Sequence, residues 1–441
     1  MPTIRYPAII SKSYLFKLAI PIFFSNLAIP LTGLVDTALM GHLENEKYLV
    51  AVSISTVVMT MVLWSFGFLR MGTVGLVAQA LGRGDYREIV STTSRNFIIA
   101  IIIGIIIIFC QKFIINLIIY FYKPQALTSS LINDYISIRV FSAPAELIMY
   151  ILVGFYLGIQ RTKISSLLII IFSLLNIFFS LYLVLNQGLK INGVAFGTVL
   201  SAYLTIIAFS TYTYFFIIKN FKLIPNFKKI LIKKKLIKLF NINFDIFIRT
   251  ILLTFSFLWI SYQGSILGED YLAANAILLQ FIMVSSFFLD AYAYSIEGVV
   301  GFSLGRKVKK SFLLAVRNSF ELSFITGLLI ALLYTFYYRS IINIITDLEF
   351  LRFFSYEYVF WVILIPPVAS FCYQFDGIFI GASQSKDMRN AMIISFVIYI
   401  FLSIFLVKHL NNHGLWLSLL IFMILRSITL RLFFTRILKR F

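Results

Sequence analysis

Charge is scarce in this chain. Asp, Glu, Lys and Arg make up 13% of its 441 residues, about half the share found in a soluble domain. The hydrophobic fraction is 60% and the mean hydropathy is +0.95, which excludes a water-soluble globule. Cysteine is nearly absent. Cys110 and Cys372 both lie inside apolar runs, so neither a disulfide framework nor a cysteine metal site is expected. The three histidines, His42, His409 and His413, stand near the ends of apolar runs and read as interfacial residues rather than proton carriers. Alternating strands of about ten residues, which a membrane barrel needs, are missing. So are clustered carboxylates and a His–Glu metal set. An embedded enzyme is therefore not expected, and no cofactor is.

What the chain does have is long apolar runs. About twelve are long enough to cross a bilayer as helices of about 20 residues, and helices satisfy their own backbone there. The expected spans are 14–41, 48–80, 94–120, 133–158, 165–186, 191–218, 242–267, 271–301, 313–338, 353–381, 388–407 and 413–434. The first run carries Pro21, Asn26, Pro30 and Asp36 and lacks a small-residue cleavage site, so it reads as a span rather than a cleaved signal.

The few charges are placed unevenly. The formal net charge is +20. Arg83, Arg87 and Arg95 follow the second span, Arg161 and Lys163 the fourth, and Arg306, Lys307, Lys309 and Lys310 the eighth. Lys386 and Arg389 follow the tenth, and the tails add Arg5, Lys12, Arg426, Arg436 and Arg440. Alternate loops carry little beyond Lys47, Lys123, Lys190, Arg339, Arg352 and Lys408. This is the positive-inside bias. It predicts a multi-pass protein of the cytoplasmic (inner) membrane with both termini in the cytoplasm. The basic charge then serves topology and anionic lipid, and no nucleic-acid partner is expected.

The chain also contains one design twice. LGRG at 81–84 matches LGRK at 304–307, GIQRTK at 158–163 matches GASQSK at 381–386, and LVAVSI at 49–54 matches LAANAI at 272–277, all at an offset of 223 residues. Six spans per repeat make the repeats parallel, and such repeats mark membrane transporters. The predicted organisation is an N-terminal lobe over 1–218, a basic cytoplasmic linker over 219–241 and a C-terminal lobe over 242–441. The linker holds eight lysines. Ile230, Leu231, Leu236 and Leu239 give it an amphipathic stripe suited to the inner leaflet. Symmetry fails at one place: Asp36 falls opposite Trp259, which puts the ion chemistry in the first lobe.

An ionisable side chain in a span costs several kcal/mol and usually faces protein or a wet cavity. Asp36 is the sharpest case. It lies about 35 Å along the first helix, and a carboxylate there suits reversible protonation or cation binding. Asn176 and Ser180 are four apart and share a helix face. Thr198 falls about 9 Å below the outer start of its span. All three reach the level of Asp36, where their oxygens could bind a sodium ion or hydrogen-bond a protonated carboxyl. Pro21 marks a helix-bending point. Arg70, Arg249, Asp290, Glu297 and Asp376 are further charges that line a cavity or hold helices together. Arg317 and Glu321 are spaced for an intrahelical pair.

At these residues the chain resembles the multidrug and toxic compound extrusion (MATE) family, in its DinF-like branch. The likeness is carried by VDTALMGHL at 35–43, FLRMGTVGLVAQALGRGD at 68–85, INFDIFIRT at 242–250, YLAANAILLQF at 271–281, FLDAYAYSIEGVVG at 288–301 and FDGIFIGASQSKDMRNAM at 375–392. It implies an all-α membrane fold of twelve helices in two six-helix lobes that work by alternating access. It implies efflux of small lipophilic, often cationic organic compounds driven by inward H⁺ or Na⁺. It also implies that Asp36 is the ion-responsive carboxylate, that Pro21 is a bending point, and that Asn176 and Thr198 belong to the ion site. Ser180 stands where many relatives carry a second Asp. One carboxylate favours H⁺ over Na⁺; the sodium alternative would use Asp36, Asn176 and Thr198. A lipid-linked precursor flippase of the same architecture is the second reading, and Arg70, Arg139 and Arg249 would serve its anionic headgroup. A monomer is expected, since each lobe supplies half of one pathway.

Overall fold

The computed structural model describes residue 7 and residues 10–43, 45–223 and 232–441. Ile230 and Leu231 of the linker stripe, and Arg5 of the tail, lie outside the described residues. Within them the chain is helical. In order the helices are α1 (Lys12–Gly41), α2 (Glu46–Ser65), α3 (Phe68–Gly82), α4 (Tyr86–Phe109), α5 (Gln111–Tyr122), α6 (Ala126–Arg139) and α7 (Ala143–Gly158). They continue as α8 (Thr162–Leu181), α9 (Lys190–Phe221), α10 (Lys233–Leu267), α11 (Glu269–Gly305), α12 (Lys309–Ile345), α13 (Glu349–Gly381) and α14 (Ser385–Leu438).

Eleven helical stretches among the described residues are long and apolar enough to cross a membrane. The last, α14, has 54 residues, about 80 Å at 1.5 Å per residue and so enough for two crossings. It breaks at Asn411, where φ is 48° and ψ is −132°, a conformation non-glycine residues rarely adopt. The described residues thus make twelve crossings. Their ends follow local rules. Asp85 caps α4 by accepting from the Glu88 N–H at 3.0 Å, and Asn45 caps α2 by accepting from the Lys47 N–H at 2.9 Å; both satisfy donors that a helix start leaves free. α2 and α3 form one crossing with a joint at Phe66–Gly67. α6 and α7 form another, joined by a 3₁₀ turn over Val140–Ser142.

Two compact units result. One is Phe24–Leu239. The other joins the described residues up to Phe23 to Phe240–Phe441. α1 is thus divided between them just beyond Pro21, although it runs as one helix through both Pro21 and Pro30. In the second unit the start of α1 is held by Lys12, 2.5 Å from Glu321. The Asn318 amide also donates to the Ile10 carbonyl at 2.7 Å. Glu321 makes its expected pair with Arg317 at 2.8 Å.

In lipid, helices associate through close packing more than through the hydrophobic effect, and small residues mark the contacts. Here those contacts occur twice in register. A Cβ on Gly104 would lie 2.5 Å from Pro144 Cα, and one on Gly327 would lie 2.9 Å from Pro367 Cα. Gly154 presses on Arg70 and Thr73, as Gly377 does on Ala293 and Ile296. Gly158 presses on Val74, as Gly381 does on Glu297. Every one of these pairs is related by the same 223 residues. The internal repeat of the sequence is therefore a repeat of packing.

Candidate functional site

Three helices place the four polar groups predicted from sequence, all within the first unit. α1 carries Asp36, α8 carries Asn176 and Ser180, and α9 carries Thr198. All four side chains are buried. Gly197 lets α9 approach α8. A Cβ there would lie 2.8 Å from both the backbone nitrogen and the Oγ of Ser180. That approach brings Thr198 to Asn176, whose Nδ2 donates to Thr198 Oγ1 at 2.9 Å. Just after Ser180, α8 widens into a π-helical turn over Tyr182–Asn186, a feature common at functional sites.

The site is rich in acceptors and poor in donors. Thr198 Oγ1 spends its hydrogen on the Val194 carbonyl at 3.2 Å. Asp36 Oδ1, Asn176 Oδ1 and Ser180 Oγ are all buried without a hydrogen-bond partner. Ser180 faces the Asp36 carboxyl at interaction range, although the pair lacks standard hydrogen-bond geometry. Buried polar atoms left unpaired cost free energy. A proton on Asp36 would add a donor among these oxygens. A sodium ion, which prefers hard oxygen ligands, would draw on Asp36, Asn176 and Thr198 with Ser180 beside them. The donor set fits either ion.

Sequence reasoning missed one neighbour. Arg139, at the end of α6, acts electrostatically on both Asp36 and Tyr135. Its Nη1 pairs with Glu146 Oε1 at 2.6 Å, across the 3₁₀ turn. Ser142 donates to the same Glu146 oxygen at 2.7 Å and is also bonded by Arg139. Tyr135 in turn meets Thr56 of α2 at 3.3 Å. No Lys or Arg in the first span balances Asp36, but a guanidinium from another helix lies within electrostatic reach. The seven-residue spacing of Arg139 and Glu146 signalled their own pairing and not the approach to Asp36.

The second-unit charges form a separate group. Asp376 Oδ2 accepts from Arg249 Nη2 and from Arg426 Nη2 at 2.6 Å, which ties α10, α13 and α14 together. Arg426 also lies over the Phe422 ring, 5.6 Å from its centroid. It was read above as a topological tail charge; here it is buried. Asp290 acts electrostatically on Cys372 and Tyr373 of the same cluster. Glu297 is fully buried against Gly381. Arg70, in the first unit, is buried with its carbonyl against Gly154.

Comparison with known proteins places this architecture. The MatE family model matches residues 21–182 and 246–405, one stretch in each repeat. The DNA damage-inducible protein F of Escherichia coli (strain K12) is 31% identical over 420 residues, covering 95% of this chain and 91% of that protein. The multidrug export protein MepA of Staphylococcus aureus (strain bovine RF122 / ET3-1) is 23% identical over 295 residues, covering 66% of this chain and 64% of that one. Among solved structures, an outward-facing multidrug resistance MATE family transporter of the MOP superfamily superposes with a TM-score of 0.88. It covers 97% of this chain and 96% of its own, at 16% identity. Twelve helical crossings in two repeats, a family model matched in both and a relative aligned over nearly the whole length make this multi-pass membrane chain a member of the MATE transporter family.

Proposed function

We propose that the protein is an antiporter that expels small lipophilic organic compounds, cationic ones foremost, from the cytoplasm in exchange for an inward coupling ion. The observation that carries this reading is the buried Asp36 carboxyl, set beside buried Asn176 and Ser180 oxygens that lack a hydrogen-bond partner. Such a group has two states that differ in charge, and an ion entering from outside stabilises the neutralised one. An ion drives a conformational change only through different affinity for the two conformations. Ion and substrate binding are then coupled reciprocally. Proton coupling is favoured over sodium, because Ser180 contributes no second negative charge. Asp36, Asn176, Ser180 and Thr198 form the ion site, Pro21 is the bending point of α1, and both termini are cytoplasmic. The name of MepA as a multidrug export protein supports efflux.

The flippase reading loses support from the arginines. A cavity for a phosphate headgroup needs uncompensated positive charge, and Arg139 offers none because Glu146 balances it; Arg249 is engaged by Asp376, which it shares with Arg426.

The test is efflux of a fluorescent organic cation from liposomes holding wild type or Asp36→Asn, under a proton gradient and a sodium gradient applied separately. Wild type should transport under one gradient and Asp36→Asn under neither. Full gradient-driven efflux by Asp36→Asn would make Asp36 structural. Folded wild type that is inert under both gradients would remove the efflux reading.

A further inference from the structure

The 223-residue register gives members of the first unit's site a counterpart in the second. Asp36 falls on Trp259, Arg139 on Val362, Glu146 on Ala369, Asn176 on Tyr399 and Ser180 on Ser403. The register is fixed beside these positions. Gly104–Pro144 and Gly327–Pro367 are equivalent contacts, and Gly41 and Gly264 follow Asp36 and Trp259 at the same distance in sequence. Val362, Ala369 and Tyr399 belong to the hydrophobic core of the second unit, and Trp259 packs against it. Of the five, Ser180 alone keeps its residue type.

It also keeps its partner. Trp259 Nε1 donates to Ser403 Oγ at 2.7 Å, in the place where Asp36 faces Ser180 in the first unit. Ser403 uses its own hydrogen on the Ile400 carbonyl at 2.8 Å, so both of its roles are filled. A second bond runs beside the first: the Tyr399 hydroxyl donates to the Ser256 carbonyl at 3.3 Å. Ser256 and Trp259 share a face of α10, and Tyr399 and Ser403 share a face of α14. In the first unit Asn176, the counterpart of Tyr399, spends its amide on α9 instead. The Asp36–Ser180 contact depends on what occupies the carboxylate. The indole–hydroxyl contact does not, because an indole N–H is a donor and nothing else.

We propose that the Trp259–Ser403 hydrogen bond is a fixed latch between α10 and α14, which confines the ion-driven change of helix packing to the first unit. Trp259 is then a positioning residue for transport. The inference rests on the ion-driven antiport proposed above and adds where the moving part ends.

Amide hydrogen exchange on the full-length protein in lipid nanodiscs tests it. The segments to follow are 28–40 of α1 and 252–262 of α10, with the coupling ion present and absent. In wild type the α1 segment should respond to the ion and the α10 segment should not. Trp259→Phe and Ser403→Ala should each raise exchange in the α10 segment about tenfold, the size of one lost hydrogen bond. The double variant should go no further, because the bond is already gone. Both single variants should keep the α1 response while transporting more slowly. Unchanged α10 exchange in both singles, additive effects in the double, or a wild-type α10 that responds as strongly as α1 would each overturn the latch. Silence of α1 towards every ion would instead defeat the antiport reading, and exchange of α10 in the variants would still decide the latch.

Discussion

Asn176 is oriented by its neighbour's bookkeeping of hydrogens. The Thr198 hydroxyl has one hydrogen and gives it to the Val194 carbonyl, so it can meet Asn176 only as an acceptor. The Asn176 N–H₂ therefore faces Thr198, and its carbonyl oxygen is left to the site. Thr198→Val removes that acceptor while keeping the shape. The amide loses its orientation, and the ion concentration for half-maximal efflux should rise about tenfold, the value of one polar contact; a dose–response curve in liposomes measures it. Asp376 presents the opposite situation. Its single oxygen serves two buried guanidinium groups. Asp376→Asn would leave both uncompensated, at a cost of about 3–5 kcal/mol. A lowered thermal unfolding temperature in detergent should report it. Polar letters inside apolar runs made Asp36, Asn176, Ser180 and Asp376 legible in the sequence. The nearness of Arg139 to Asp36 was not, because it depends on how α6 packs. The burial of Arg426 was hidden by a charge pattern in which one more arginine near the end of the chain signalled only topology.

The helices themselves were the most legible elements, since a run of about 20 apolar residues has one economical solution in a bilayer. Their joints were less so. The residues KHLNN at 408–412 separated the expected last two spans, and the backbone breaks there, at Asn411. What holds that joint could not be read from one segment. The Asn275 and Asn412 amides bond reciprocally at 2.8 and 3.0 Å, and Trp416 Nε1 adds a third bond to Asn275 Oδ1 at 2.8 Å. Gly414 lies against the Leu406 and Val407 backbone with no room for a Cβ. Gly414→Val should force the two halves of α14 apart and cost about 2 kcal/mol from overpacking, seen as a lower unfolding temperature. The joint at Phe66–Gly67 and the separate helix Gln111–Tyr122 left no comparable letters. Both sit within apolar sequence that also suits an uninterrupted span.

Over the whole chain, repetition and difference are divided by type of residue. Gly104, Gly154 and Gly158, which bring helices together, recur at 223 residues with their contacts intact. The charged groups of the candidate site do not recur: where one unit has Asp36, Arg139 and Glu146, the other has Trp259, Val362 and Ala369. Arg249, Asp376 and Arg426, conversely, face Asn26, Val153 and Tyr203. The short loop matches were enough to find the register, but assigning a meaning to it required the contacts.

The paired glycines also leave a mark that selection can reveal. A saturation-mutagenesis map, scored by resistance to a toxic cation and folded over on itself at 223 positions, should coincide at Gly104 and Gly327, at Gly154 and Gly377, and at Gly158 and Gly381. It should diverge at Asp36 and Trp259, where the first position should tolerate no other residue and the second should accept any ring that still donates a hydrogen. Two copies of one ancestral segment would then be visible in living cells as a shared intolerance of bulk and an unshared intolerance of lost charge.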